Sequence, residues 1–479
     1  MKTKTFKLKY RTKRWQLLGF VILLGASIST YGQTEQKPLK PLHPVKSVEK
    51  NERSSKDDET ITGSEKTIYT SMDIDFRPKV SMVLYDTETE ILPARNNSIE
   101  ILMEYVAEGK NEADIQKLHK AIEENLIKKH GENIDISLKF YKSYSNMIIA
   151  PGISKVNMEL NDNSKIKLTK FEISSLKIYL PADLDLKIEA KYSPVDIMFS
   201  MNGELEIDAY DSEIEGRSVR GKLDATCKYS KLRFASASDT KLNLYESKVW
   251  IEKVKKLTVD SKYSEINIDN MTSVVLSGYE DEIDFVNVPD AQFNVKYCEI
   301  ELDESKTIDA DMYEGSINLK QSDVVTFNGK YVECDFETIN SLDMIDSYEN
   351  EIDIKQINHI SSMNGKYNKF HIDNVSKSVR ISGYEDDIEI ALLGADFERV
   401  VVDGKYMDLE LIIPKKTNYK LHGLITYPDL HVDKSDYNVV IHDEGDSKLE
   451  FEYYRGKKEN VTKEIKLNGY EIDATIDHQ

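Results

Sequence analysis

The chain has 479 residues, 40% of them apolar and 31% charged, with 21 glycines and three cysteines. That length allows two or three domains, and the composition excludes a collagen-like chain or a flexible Gly/Ser filament. The formal charge is −21, and residues 1–32 hold seven Lys/Arg and no acid, so the chain beyond them carries −28, a surface that repels nucleic acid and anionic lipid.

Lys2, Lys4, Lys7, Lys9, Arg11, Lys13 and Arg14 precede an apolar run from Trp15 to Ile28, and small and polar residues follow to Gly32. This order predicts a secretory signal over 1–32. The apolar run is too short for a comfortable membrane span, and no cysteine closes it to receive a lipid. The chain is therefore expected to be exported, to the periplasm, the outer surface or the medium, with no membrane span after cleavage. Residues 33–65 are polar, with Pro38, Pro41 and Pro44 and no apolar period, which predicts a disordered linker.

An α+β cap is expected over 66–180. Asn111 is placed to cap a helix, with Ile115, Leu118, Ile122 and Leu126 on one stripe and Gly131 as its stop. His119 and His130 read as exposed residues of that helix rather than ligands. Ile134, Ile136, Leu138 and Phe140 then alternate as a strand.

From Tyr192 the chain repeats itself in two alternating forms. One is Lys-Tyr-x-x-Φ-x-Φ (Φ apolar), as in Lys262 to Ile268, and the other is Tyr-(Glu/Asp)-x-x-Φ-x-Φ, as in Tyr279 to Phe285. Leu232, Val249, Ile266, Ile283, Ile300, Ile317 and Cys334 are each 17 apart; Ile352, Phe370 and Ile388 follow at 18, and Leu409 at 21. A second apolar pair precedes each tyrosine, for example Leu257/Val259 and Val274/Leu276, so each unit is two short strands with alternate residues facing in. Four buried apolar side chains cannot offset the ordering of 17 backbones, so units must stack. A mainly β chain is expected, a parallel β-solenoid of about 17-residue coils over 181–440 with a small N-terminal α+β cap unit and a C-terminal β cap over 441–479. About thirteen coils at a rise of ~4.8 Å give a rod of roughly 60 Å.

If one unit is one coil, a corner column reads Lys228, Tyr245, Lys262, Tyr279, Lys296, Tyr313, Lys330, Tyr348, Lys366, Tyr384, Lys405. The next column reads Tyr229, Glu246, Tyr263, Glu280, Tyr297, Glu314, Tyr331, Glu349, Tyr367, Glu385, Tyr406. Like charges in a column are then about 9.6 Å apart, and lysine beside tyrosine permits cation–π contact. A 34-residue coil would stack Lys on Lys and Glu on Glu at about 4.8 Å, a repulsion of roughly 1–3 kcal/mol per contact. The tyrosines of both columns form a candidate ladder, structural or binding.

The strand leaving the cap at Ile178-Tyr-Leu-Pro181, the strand Leu184 to Tyr192 that follows, and the repeated Lys-Tyr motif resemble the adhesin-like β-strand-repeat family of exported bacterial proteins, whose biochemical role is unassigned. The resemblance covers roughly residues 95 to 440 and implies no catalytic residues. Family members often carry glycine after Lys-Tyr; here that place holds Ser193, Ser230, Ser264, Cys298, Val332, Asn368 and Met407, so the corner is expected to differ.

No P-loop, dinucleotide fingerprint, G-x-S-x-G elbow, H-E-x-x-H or EF-hand loop occurs. Cys227, Cys298 and Cys334 match no disulfide or zinc pattern and are expected in packing or corner roles. Glu280-Asp-Glu282 and Glu385-Asp-Asp387 could hold calcium at corners, against the plainer reading of solvated acid. No catalytic residue, cofactor or metal site is expected. The function this supports is a non-enzymatic envelope protein offering an extended surface for binding, adhesion or scaffolding, with a glycan or an envelope protein as partner and no nucleic acid. The alternatives are a polysaccharide-processing enzyme on a β-helix, and an envelope-stress signalling partner.

Overall fold

The computed structural model describes residues 62–74, 77–150 and 153–479; the predicted signal and most of the linker lie outside them. The repeats form a parallel β-solenoid of about 13 turns, with coils of about 18 residues. Strand register shows one unit per coil. Lys231 pairs with Lys248, Lys248 with Glu265 and Glu265 with Glu282, each a step of 17. Glu333, Glu351, Lys369 and Asp387 then step by 18, and Asp387 to Asp408 by 21. The inward side chains are those of the apolar period: Leu232, Val249, Ile266 and Ile283 are all buried.

The stack starts earlier in the chain than the repeat motif suggests. Strands β1 (Thr62–Asp73), β2 (Lys79–Tyr85), β3 (Thr89–Pro93) and β4 (Ser98–Gly109) precede helix α1 (Glu112–Asn125). After it come β5 (Ile127–His130), β6 (Asn133–Ser137), β7 (Tyr141–Ala150), β8 (Ile153–Leu160), β9 (Lys165–Leu168), β10 (Lys170–Leu180), β11 (Asp185–Lys191) and β12 (Val195–Ile197). β2 and β3 are a solenoid coil, paired in parallel with β11 and β12. On their other side β6 and β10 supply one more parallel rung. Antiparallel pairing then ends the stack, with β5 on β6, β4 on β10 and β1 on β4. Reversed polarity at an end denies a second parallel stack its template.

Asn111 caps α1, its side chain accepting from the Ala113 N–H, and Ile115, Leu118 and Ile122 are buried. Two expectations need correction. The helix stops at Asn125, Gly131 (φ +63°) turns the β5–β6 hairpin instead, and His130 lies on β5. His119 is buried, its ring nitrogens 2.5 Å from the Tyr105 hydroxyl and 3.1 Å from Ser64 Oγ. Burial pushes its pKa down to about 4, so it sits in the core neutral.

The far end closes by insertion. Arg399–Ile413 pairs in parallel with Glu464–His478, and the opposite edge of Glu464–His478 takes Tyr419–Thr426 and Asp429–His431. A late stretch of chain thus lies between two earlier coils. Lys448–Arg455 and then Asn438–Glu444 add antiparallel strands outside. Among the described residues no helix is long and apolar enough to cross a membrane.

Candidate functional site

Every coil turns the same corner with three consecutive residues. The first ends a strand, and its column holds the predicted order: Tyr245 pairs with Lys262, Lys262 with Tyr279, Tyr279 with Lys296, and so on to Lys405 beside Tyr470. The second residue is left-handed in every coil: Tyr229, Glu246, Tyr263, Glu280, Tyr297, Glu314, Tyr331, Glu349, Tyr367, Glu385 and Tyr406 have φ between 45° and 61°. That conformation costs a non-glycine residue about 1–2 kcal/mol. Inter-coil bonds hold it, the second residue's N–H donating to the first-column carbonyl of the next coil, as Tyr229 to Tyr245 (3.0 Å) and Tyr263 to Tyr279 (2.9 Å).

All eleven predicted tyrosines meet in one ladder. Tyr85, Tyr192 and Tyr210 extend it at one end, and Tyr470 and Tyr427 at the other. Successive centroids are 5.3–5.9 Å apart and successive rings are inclined by 68–88°. This explains the two forms of the repeat. Tyrosine in one column at every coil would stack rings face to face at ~4.8 Å, with like quadrupoles opposed. Moving alternate rings to the left-handed position turns them edge to face. Lys191 does lie 5.3 Å from the Tyr192 centroid and 5.1 Å from that of Tyr210, but the contact that recurs along the ladder is ring on ring. The acid that follows raises the phenol pKa of the first-column rings Tyr245, Tyr279, Tyr348 and Tyr384, and the Glu349 carboxylate pushes that of Tyr348 up to about 12.

The third residue points inward, and sequence reasoning missed what it does. Ser193, Ser212, Ser230, Ser247 and Ser264 are buried. Each hydroxyl donates to the carbonyl two residues back, as Ser247 to Tyr245 (2.9 Å), and accepts the third-column N–H of the preceding coil, as Ser247 from Ser230 (3.2 Å). The serine recurring after Tyr-Glu and Lys-Tyr was the available signal. Beyond Ser264 the column changes to Asp281, Cys298 and Gly315, and later to Asn350, Asn368 and Asp386. The longer side chains still accept: Asp281 from Ser264 N (2.8 Å), Asn350 from Val332 N (3.0 Å), Asp386 from Asn368 N (2.8 Å).

Space for them comes from three residues upstream in the same coil. Leu244 stands with Ser247, Val295 with Cys298 and Met312 with Gly315, whereas Gly278 stands with Asp281, Gly365 with Asn368, Gly383 with Asp386 and Gly404 with Met407. A Cβ on Gly278 would lie 2.7 Å from Asp281 Oδ2, and one on Gly383 2.0 Å from Asp386 Oδ2. Large beside small, the pair fills one volume.

This burial corrects both readings of the acid runs, since the middle acid of each is neither solvated nor placed for calcium. Asp281 and Asp386 point into the core while their flanking acids face out, so the three carboxylates of each run do not converge. Burial raises both pKa values, that of Asp386 to about 6. Among the described residues Asp429, His431 and Asp473 could hold a metal, with ligand atoms within 4.8 Å of one another, all on exposed residues. Cys298 replaces a serine in the buried column, and Cys227 and Cys334 face inward from strands; burial pushes Cys298 up to about 11 and Cys227 to about 12, which keeps them protonated and inert. A groove of ≈520 Å³ lies beside the last rungs, at Tyr427 and Tyr470, and one of ≈770 Å³ runs along the first column from Lys330 to Tyr470.

No family model matches the chain, and no curated protein matches it. Among solved structures, one described as a "putative cell adhesion protein" of Clostridium sporogenes is 9% identical, over 87% of this chain and 100% of that one, with a TM-score of 0.13.

Proposed function

We propose that this is an exported, non-enzymatic envelope protein that presents the flank of its solenoid to a glycan or an envelope protein, in the manner expected of the adhesin-like repeat family it resembles. The observation that carries the reading is the ladder itself. Its rings run unbroken from Tyr85 to Tyr427, and Tyr192, Tyr229, Tyr263, Tyr297, Tyr331, Tyr367 and Tyr406 each keep about two-fifths of their surface exposed. Rings with a wet hydroxyl edge suit recognition of polar, ring-bearing or hydroxyl-rich partners. Corner acids that project in columns rather than converging support a binding role over hydrolysis, which needs two carboxylates placed about a bond. The basic and apolar order of residues 1–32 supports export, and the negative charge beyond them disfavours nucleic acid.

The test is capture by residues 33–479 from envelope protein extracts and on arrayed glycans. A partner retained by the wild type and lost with Tyr263→Asn, Tyr297→Asn and Tyr331→Asn together supports the reading, since asparagine tolerates the left-handed corner. A wild-type chain that retains neither class ends it.

A further inference from the structure

The groove along the C-terminal coils is where the solenoid stops being regular, and four departures coincide there. Coil length moves from 17 to 18 and then 21. Asp346 and Asn364 take left-handed conformations (φ 51° and 61°) ahead of the corner, additional to the corner residue that every coil has. Gly365, Gly383, Gly404 and Gly469 fall in register across consecutive coils, and the groove runs over the outer face of their backbone. Beneath that backbone Asp386 is 1% exposed, and its Oδ1 accepts from Asn368 while its Oδ2 has no hydrogen-bond partner. That oxygen lies 2.0 Å from the position of a Cβ on Gly383 and 3.0 Å from one on Gly365, on the core side of two residues whose outer face lines the groove. A buried carboxylate oxygen without a donor is costly where stability alone is at issue. Sites that break local regularity in this way are where function is expected.

We infer that this groove binds an extended, uncharged oligosaccharide lying along the solenoid axis, a proposal that rests on the binding role above and gives it a site and a substrate class. One wall alternates Tyr348, Tyr384 and Tyr470 with Lys330, Lys366 and Lys405; the other carries Asp346, Ser382 and Asp403. Equivalent rings two coils apart are about 9.6 Å from each other, the scale of a disaccharide. Phenols give faces for sugar rings, and ammonium, hydroxyl and carboxylate groups give donors and acceptors for hydroxyls. The walls mix three cations with two acids, and the chain as a whole is strongly negative, so a polyanion gains little.

The experiment titrates residues 33–479 with cellohexaose, xylohexaose, laminarihexaose and mannohexaose by calorimetry, and with heparin and polylysine in parallel. Expected is binding of at least one hexasaccharide, weakened tenfold or more by Ser382→Trp and by Asp403→Ala at unchanged circular dichroism, and unaltered by Tyr263→Asn outside the groove. Equal binding by both groove variants overturns the site. Groove-dependent binding of heparin or polylysine in place of the hexasaccharides overturns the substrate class. If no hexasaccharide binds while the capture experiment yields a ladder-dependent partner, the groove proposal falls and the binding role stands; if both are negative, both fall.

Discussion

The serine corners of the early coils and the acid or amide corners of the later ones solve one problem with different side chains. In both, a left-handed residue leaves the following N–H facing a dry interior, and the next coil must supply an acceptor. Serine does so at small volume and is fully satisfied, giving its own proton to the carbonyl two residues back. Asp281, Asn368 and Asp386 reach the same N–H groups, but they require a glycine upstream and bring a second polar atom into the core, partnered at Asp281 and Asn368 and unpartnered at Asp386. A solenoid is therefore not one corner copied thirteen times. The acceptor recurs from Ser193 to Cys298 and again from Asn350 to Asp386, with Gly315 and Val332 between them supplying none, and the packing around it is traded.

The comparison breaks most sharply at Gly278. Gly278→Val drives carbon into Asp281 Oδ2, Leu276 and Cys298, and is expected to cost about 3 kcal/mol in urea unfolding. Asp281→Ser in the same chain recreates the Leu244–Ser247 type of pair and should recover most of that loss, whereas additive costs in the double-mutant cycle would refute the exchange. Next in size is a pH effect. Asp386 has a folded pKa of about 6 against an ordinary value of 3.8, so the folded state holds the proton more tightly. Stability is greatest below about pH 4, falls as pH rises to about 6 and is level above that, a span of about 3 kcal/mol. Asp386→Asn should remove that part of the slope and raise the melting temperature at pH 7.5; an unchanged profile would show that the carboxylate is solvated. Ser247→Ala, which strands the Ser230 N–H, is expected to cost roughly 1–2 kcal/mol with no pH dependence. Smallest is Tyr297→Asn, which removes two edge-to-face contacts for about 1 kcal/mol while easing the left-handed corner. A loss several times larger would make the ladder the main tie between coils.

Much of this was legible because it is periodic. The steps from Leu232 to Leu409 fix the register, and both corner columns follow from them. The ring geometry did not follow, because it depends on the left-handed turn at Tyr229 and its equivalents, where a ring swings across to its neighbour rather than staying in its own column. The coil of β2 and β3 was hidden by the excursion through α1 that separates it from β11. Tyr470-Glu471 nevertheless carries the second form of the motif, and Tyr85-Asp86 carries it with Thr89 in the first apolar place. The buried serine column stood in plain view as a departure from glycine; its meaning required knowing which way the third residue points.

The insertion of Glu464–His478 between Arg399–Ile413 and Tyr419–Thr426 has a consequence for how the molecule is made. Both outer coils leave the ribosome before the strand that separates them. Until it arrives, each presents the other with a free parallel edge, and stacking them directly would be the ordinary next step of the array. Completion of this end is thus a contest between the near neighbour in sequence and the correct neighbour in space. The rest of the solenoid can zip coil upon coil, but here the chain must leave a gap and return to fill it.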